Sequence, residues 1–324
     1  MKPLVSVMMI TYNHARYIKK AIESVLQQKV DFEFELVIGE DCSTDGTREI
    51  VYDYANRYKN KIKLITSEKN VGMKKNSLRT YKVLRGQYIA WCEGDDFWQS
   101  RNKLQKQVDY LESHPECGLV YSDYNKQYIK NNEIIYDFLK NNREKYINEP
   151  NVENILLGKT KILTCTVVAR RKLVAALIRD DPYLYTNDTF LMGDTQLWAE
   201  ISLKSEITMI EESLATHCVL PESATQSKDI KKVLKFWISN SEMCIYLCEK
   251  HSLNEKIMEI HENISNRLML RLAYYENDKE LAEIARKKIK KMRIKDFVWY
   301  YTVKNDVLRI ICSPLGALYT TIRK

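Results

Sequence analysis

The feature that most constrains this chain is the alternation, within its first third, of short apolar runs with helix-periodic segments. Residues 4–10 (LVSVMMI) form a continuous apolar run, as expected of a strand buried on both faces. Residues 15–28 then place Ile18, Ile22, Val25 and Leu26 on one helical face, with Asn13 or His14 positioned to cap it. The pattern repeats as strand 34–38 (FELVI), helix 47–58, strand 61–66, helix 75–85 and strand 88–92 (YIAWC). Strand–helix–strand units at this spacing predict an α/β fold, a Rossmann-like, mostly parallel sheet flanked by helices. Ligands of such sheets bind outside the carboxyl ends of the strands. Three polar segments occupy that edge: Thr11 to His14, Gly39 to Thr47, and Glu93-Gly94-Asp95-Asp96.

Further on, the pattern predicts a helix at 103–111, strands at 118–122 and 162–168 (ILTCTVV), a helix from Asp194 to Ile201 and a short strand at 205–210. Residues 125–160 read as a polar, irregular insertion over the cleft. Past about residue 225 the character changes, and helical patterns fill 229–250, 253–276 and 278–292. This divides the chain into an α/β catalytic domain, 1–225, and a helical C-terminal region, 226–324.

Composition narrows the function classes. Of the 324 residues, 45% are hydrophobic and 29% charged, which supports an ordinary core and excludes wholesale disorder. The net charge of +8 favours phosphate-bearing ligands or anionic lipid. No helix-turn-helix, zinc-finger or RNA-binding signature accompanies it, so nucleic acid is not an expected partner. The 8 cysteines are scattered, and Met1-Lys2-Pro3 leads directly into the first strand. That reads as a reduced, cytoplasmic protein. Cys244, Cys248 and His251 lack a second ligand pair, so helix packing is a better account of them than zinc. No run approaches the length of a membrane span.

Glu93-Gly94-Asp95-Asp96 is the most informative segment. Three carboxylates in four residues repel one another unless a cation or donor sits between them. Hard oxygen ligands suit Mn2+ or Mg2+ bridging two phosphates, whereas the bland alternative is an exposed acidic turn. Asp41 is placed to accept hydrogen bonds from a base N–H or ribose hydroxyls. Asp45 reads as turn and cap chemistry. Tyr12 offers a flat face for a base, and Lys74, Lys75 and Arg79 are cations within reach of phosphate.

VSVMMITYNHARYIKKAIESVLQQ, LVIGEDCSTDGT, KNVG and GQYIAWCEGDDFW, in this order and spacing, resemble the family-2 inverting glycosyltransferases with the GT-A fold. The likeness is to the bacterial branch that builds capsular, O-antigen and related glycans, over about residues 4 to 225. It implies a UDP-sugar donor held by Thr11, Tyr12, Asn13, Glu40, Asp41, Asn70, Lys75 and Asp95. It implies Mn2+ or Mg2+ on Asp95, with Asp96 and Glu93 as further ligands; Glu93 stands where the family usually has Asp. Met192-Gly193-Asp194-Thr195-Gln196-Leu197-Trp198 matches the segment of the catalytic base, which makes Asp194 the base, although Gly193 replaces the usual preceding acid. A carboxylate at a helix N-terminus is stabilised as the anion a base must be; a plain N-cap is the alternative. Leu220 falls where family members carry a later histidine near the diphosphate, and His217 is a substitute for it.

The implied reaction moves a hexosyl or N-acetylhexosaminyl group to a glycan or lipid-linked acceptor. The rivals are a sugar nucleotidyltransferase, which needs a glycine-rich loop that ITYNHARY lacks, and a non-catalytic sugar-nucleotide-binding scaffold. In the C-terminal region a basic run, 287–293, precedes Phe297-Val298-Trp299-Tyr300-Tyr301 and apolar runs at 308–312 and 315–319. This suits either peripheral contact with an anionic membrane or packing within a helical subdomain or homo-oligomer.

Overall fold

The computed structural model describes residues 2–186, 188–221, 229–305 and 307–308. The chain falls into two compact units, one of residues 1–189 and 193–221, the other of 190–192 and 222–324. The boundary expected at 225 lies outside the described residues.

The first unit is built on one sheet of nine strands among the described residues. These are β1 (Val5–Thr11), β2 (Phe34–Glu40), β3 (Ile62–Ile65), β4 (Tyr88–Trp91), β5 (Phe97–Trp98), β6 (Cys117–Tyr128), β7 (Glu133–Ile135), β8 (Val168–Arg170) and β9 (Glu206–Val219). Their order is β3-β2-β1-β4-β8-β6-β9-β5, with β7 on β6. The half from β3 to β4 is parallel, as the strand–helix alternation requires. Beyond β4 the sheet is mixed: β8 runs antiparallel to both β4 and β6, β9 parallel to β6, and β5 antiparallel to β9.

The helices of this unit are α1 (Ile18–Leu26), α2 (Thr47–Arg57), α3 (Met73–Tyr81), α4 (Lys103–Ser113), α5 (Val152–Leu156), α6 (Arg171–Asp180), α7 (Pro182–Thr186) and α8 (Thr195–Ser202). The odd-numbered residues Val5, Val7 and Met9 of β1 share one core with Ile18, Ile22 and Val25 of α1 and Leu104, Val108 and Leu111 of α4. The even-numbered Ser6 and Met8 are buried as well, and α3 also contacts β1, so β1 is covered on both faces and reads as unbroken apolar sequence. At the amino end of the sheet a polar knot fixes β1 against β2. Ser6 donates to Glu35 Oε1 at 2.7 Å, and Arg85 Nε donates to Glu35 Oε2 at 2.8 Å.

Three expectations change. The apolar stretch 162–168 is not a strand; Thr164–Thr166 is a 3-10 turn and the strand is Val168–Arg170. The carbonyls of that turn are taken by side chains, Trp98 Nε1 donating to Cys165 and Gln107 Nε2 to Thr166, both at 2.8 Å, which satisfies them without a ladder. The strand read as 205–210 runs on to Val219. Residues 125–160 are less irregular than expected: they extend β6, fold back as β7 and form α5, and residues 139–149 wall a hollow of about 300 Å³ over Tyr121 and Asp123.

The second unit contains α9 (Ile230–Lys250), α10 (Glu255–Glu276), α11 (Lys279–Lys288) and α12 (Ile294–Lys304). Leu270 and Ala273 of α10, Ala282 and Ala285 of α11 and Val303 of α12 meet in one core. Cys244 and Cys248 are buried on α9. Among the described residues no helix is long and apolar enough to cross a membrane. Apart from Leu308, the apolar runs at 308–312 and 315–319 lie outside the described residues.

Candidate active site

The parallel register levels the carboxyl ends of the central strands, pairing Thr11 with Glu40 and Met8 with Trp91. Past its last ladder residue, β4 continues beside β1: Cys92 N donates to Met8 O at 3.1 Å and Gly94 N to Ile10 O at 3.0 Å. The acidic loop is therefore laid against Thr11 rather than swung into solvent. Gly94 makes this approach possible. A Cβ there would stand 2.5 Å from Thr11 Oγ1 and 3.0 Å from His14 Nδ1. The close approach that glycine permits is thus to the protein's own β1 loop.

The three carboxylates of the loop have different fates. Asp96 is buried and turned inward, accepting from Cys218 N at 2.8 Å and lying 3.1 Å from His217 Nδ1. Its carboxylate is hydrogen-bonded to the end of β9. Asp95 is half-buried, and His14 Nδ1 lies 3.9 Å from its Oδ1. Glu93 has one carboxylate oxygen, Oε2, buried with no hydrogen-bond partner; Thr11 Oγ1 and His14 Nδ1 are likewise unpartnered. Burial, then the charges of Asp96, Asp95 and Asp194, push the Glu93 carboxyl well above the ordinary carboxylate range. Burial and Asp96 also push Asp95 up, against the opposing pull of His14. For His217, burial acts to lower its pKa, but the charge and hydrogen bond of Asp96 outweigh it and hold the ring's pKa up.

Among the described residues no three His, Cys, Asp or Glu side chains converge as a ready cage for a metal ion. A cation shared with substrate phosphates needs only one or two carboxylates, because water and phosphate complete its shell. The unpartnered Glu93 Oε2 and the half-buried Asp95, two positions apart on one loop despite mutual repulsion, fit that chemistry.

Asp194 lies on a different element. It is the N-cap of α8: Oδ1 accepts from Thr195 N at 2.7 Å, and Oδ2 accepts from Thr164 Oγ1 at 3.1 Å. Thr164 belongs to the turn Thr164–Thr166, which lies against β4, so this bond sets Asp194 beside the strand that leads into the acidic loop. An edge-to-face contact of Trp91 with Trp198, 5.5 Å between ring centres, ties α8 to β4.

Residues 6–176, just over half of the chain, match the sequence family Glycosyl transferase family 2. The chain belongs to that family. A relative in Escherichia coli, the UDP-Glc:alpha-D-GlcNAc-diphosphoundecaprenol beta-1,3-glucosyltransferase WfgD, is 28% identical over 235 residues, 72% of this chain and 84% of its own. The chain spans about a third of the length of the first curated relatives it matches. The structure of S. aureus TarS 1-349 in complex with UDP-GlcNAc superposes with a TM-score of 0.60 at 19% identity, over 94% of this chain and 90% of that one. The mannosyltransferase PcManGT of Pyrobaculum calidifontis, in complex with GDP-Man and Mn2+, gives 0.57 at 13% identity, over 96% and 87%. These likenesses show the fold, which is GT-A.

Within this family member the expected donor residues divide. Thr11 is buried at the site, with its hydroxyl free. Tyr12 is 42% exposed at the same edge, open to a stacking base. Asp41 is buried, and accepts from Val71 N at 2.8 Å and Gly72 N at 2.9 Å, so it fixes the 70–72 turn against β2. Asn70 lies in that turn, accepting from Gly72 N. The buried carboxylate of Glu40 accepts from Ser43 N at 2.5 Å and Arg48 Nε at 2.6 Å, which clamps the following loop. Asn13 is likewise occupied, accepting from Thr44 N at 2.9 Å from a left-handed backbone. Neither Asn13 nor His14 caps α1 with its side chain, since the N-cap is Tyr17 and makes no such bond; Asp45 and Thr47 hold the loop before the helix, accepting from Ala15 N and His14 N. Lys75 is exposed and paired with Asp188 at 3.2 Å. Arg79 holds the carbonyls of Thr66 and Glu40 and so is not free for phosphate.

Sequence reasoning missed Thr164 and gave His14 no part beyond capping. The one signal for Thr164 was a hydroxyl inside an apolar run.

Proposed function

We propose that this protein transfers a hexosyl or N-acetylhexosaminyl group, with inversion, from a UDP-sugar to a hydroxyl of a glycan or lipid-linked acceptor in bacterial surface-polysaccharide synthesis. The observation that supports the reading is Asp194, its carboxylate held by Thr195 N and Thr164 Oγ1, together with the half-buried Asp95 and the unpartnered Glu93 Oε2 of the acidic loop. The GT-A neighbours that hold UDP-GlcNAc or GDP-Man, and the name of WfgD, support donor and acceptor class. The buried, unpaired thiols Cys92, Cys117 and Cys165 go with a cytoplasmic enzyme.

Asp194 receives the proton of the acceptor hydroxyl on a carboxylate oxygen. The freed oxygen bonds to the anomeric carbon from the face opposite the leaving group. The bond from that carbon to the diphosphate oxygen breaks, and the pair leaves with UDP. Thr164 and Thr195 hold the carboxylate in one orientation for this transfer. Tyr12 stacks the base, and Asp41 and the 70–72 turn shape its pocket. Asp95, with Glu93, would hold Mn2+ or Mg2+, which supplies positive charge to the departing diphosphate. In this reading His217, which lies 3.1 Å from Asp96, meets the same phosphates.

The test is UDP release from a panel of common nucleotide sugars with Mn2+ or Mg2+. Release should depend on the metal, fall by about 100-fold or more in Asp194→Asn, and need at least about tenfold more metal in Asp95→Asn. Retention of full activity in Asp194→Asn removes the base assignment; binding of nucleotide sugar without UDP release makes the protein a scaffold.

A further inference from the structure

Helix α12 is apolar on two opposite faces. Trp299, Tyr300 and Val303 pack inward on the α10–α11 core. Ile294, Phe297, Val298 and Tyr301, at i, i+3, i+4 and i+7, form a second stripe and are 85%, 44%, 46% and 52% exposed. A helix that is apolar all round belongs in an apolar environment on both sides. The charge around this one says which. Residues 284–304 carry eight lysines and arginines and one acid, Asp296. Asp296 is buried under the helix, where Arg267 Nε reaches it at 3.2 Å. Six of the cations lie within residues 287–295, immediately before and at the start of the stripe. Lys287, Lys288 and Lys291 are exposed, and Lys295 is exposed next to Ile294 at the start of the stripe, whereas Lys290 and Lys304 are paired with Glu259 and Glu283.

We propose that the outer face of α12 and the basic segment before it dock this unit on an anionic lipid bilayer, with the helix lying in the interface. A second copy of the chain fits less well, because a two-fold contact through this face would oppose two clusters of like charge. The apolar stripe would enter the acyl boundary while the lysines meet lipid phosphates. This is independent of the donor chemistry: it needs no nucleotide sugar, and its failure leaves the transferase reading untouched.

The experiment is cosedimentation of the full chain with vesicles of phosphatidylcholine alone or mixed equally with phosphatidylglycerol, at low and high salt. Binding should require phosphatidylglycerol and weaken with salt. The Lys287→Gln, Lys288→Gln, Lys291→Gln variant should bind weaker by about fivefold per lysine. The Ile294→Asp, Phe297→Asp variant should lose at least about tenfold, with thermal unfolding and UDP release unchanged because both side chains are exposed. Equal binding to neutral vesicles, unaltered binding by both variants, or a lipid-free dimer that Ile294→Asp splits would each overturn the proposal; the last assigns the face to a second copy.

Discussion

Thr164 donates its hydroxyl to Oδ2 of Asp194 at 3.1 Å, while the other oxygen of that carboxylate is held by the first N–H of α8. The carboxylate is thereby fixed in rotation as well as in position. Hydrogen bonds to charged groups contribute about 1.5–3 kcal/mol. Thr164→Val should therefore lower kcat by about 10- to 100-fold while leaving KM for the nucleotide sugar unchanged. Thr164→Ser should restore most of it. A stability loss with normal kcat would reduce Thr164 to a packing residue.

Gly94 is where the acidic loop touches β1. The missing Cβ would collide with Thr11 Oγ1 at 2.5 Å. Gly94→Ala should push the loop away from β1, costing about 1–3 kcal/mol of stability. It should also raise the metal concentration needed for activity, since Asp95 moves with the loop. Urea unfolding and metal titration of the same variant check the two effects separately.

Lys103 is fully buried; its ammonium donates to Gln107 Oε1 at 2.7 Å and lies 4.4 Å over the Trp98 ring. Burial pushes its pKa from the ordinary 10.5 down to about 7. Between those values the unfolded chain binds a proton that the folded chain does not. Stability from this group therefore rises with pH across that window, by up to about 1.4 kcal/mol per pH unit, and is lost as pH falls toward 7. Lys103→Met should flatten the dependence, measured by urea unfolding at several pH values above neutrality.

Glu35 acts in the same direction, in a more acidic window. Burial acts to raise its pKa, but hydrogen bonds from Ser6 and Arg85 and the charge of Arg85 outweigh it and hold its carboxyl below the ordinary 4.5. Its contribution is present above that ordinary value and is lost as pH falls through the lower, folded one. Glu35→Gln should cost about 2 kcal/mol at neutral pH. The gap from the parent protein should close in acid, in the same unfolding assay.

The parallel half of the sheet was legible because strands buried on both faces cannot hide: residues 4–10, 34–38 and 88–92 read as β1, β2 and β4 almost to the residue. The mixed half was not. Its turn at Thr164–Thr166 is as apolar as a strand, and what distinguishes it is two side-chain donors, from Trp98 and Gln107, far off in sequence. The site shows the same limit. The spacing of the carboxylates was visible, but their division of labour was not. Asp96 is turned inward by a backbone N–H 122 residues later, and Glu40 by Arg48 on the next helix. A motif announces which atoms are present; the partners that occupy them come from elsewhere in the fold.

The hold of Cys218 on Asp96 also has a consequence in time. All three carboxylates of the acidic loop are synthesised within the first third of the chain, yet the loop's anchor arrives only with the end of the last long strand. A ribosome-bound fragment that stops short of Cys218 carries the full motif with one acid unmoored. Competence is thereby deferred until translation has delivered that strand, so shorter fragments should be inert however complete their motifs.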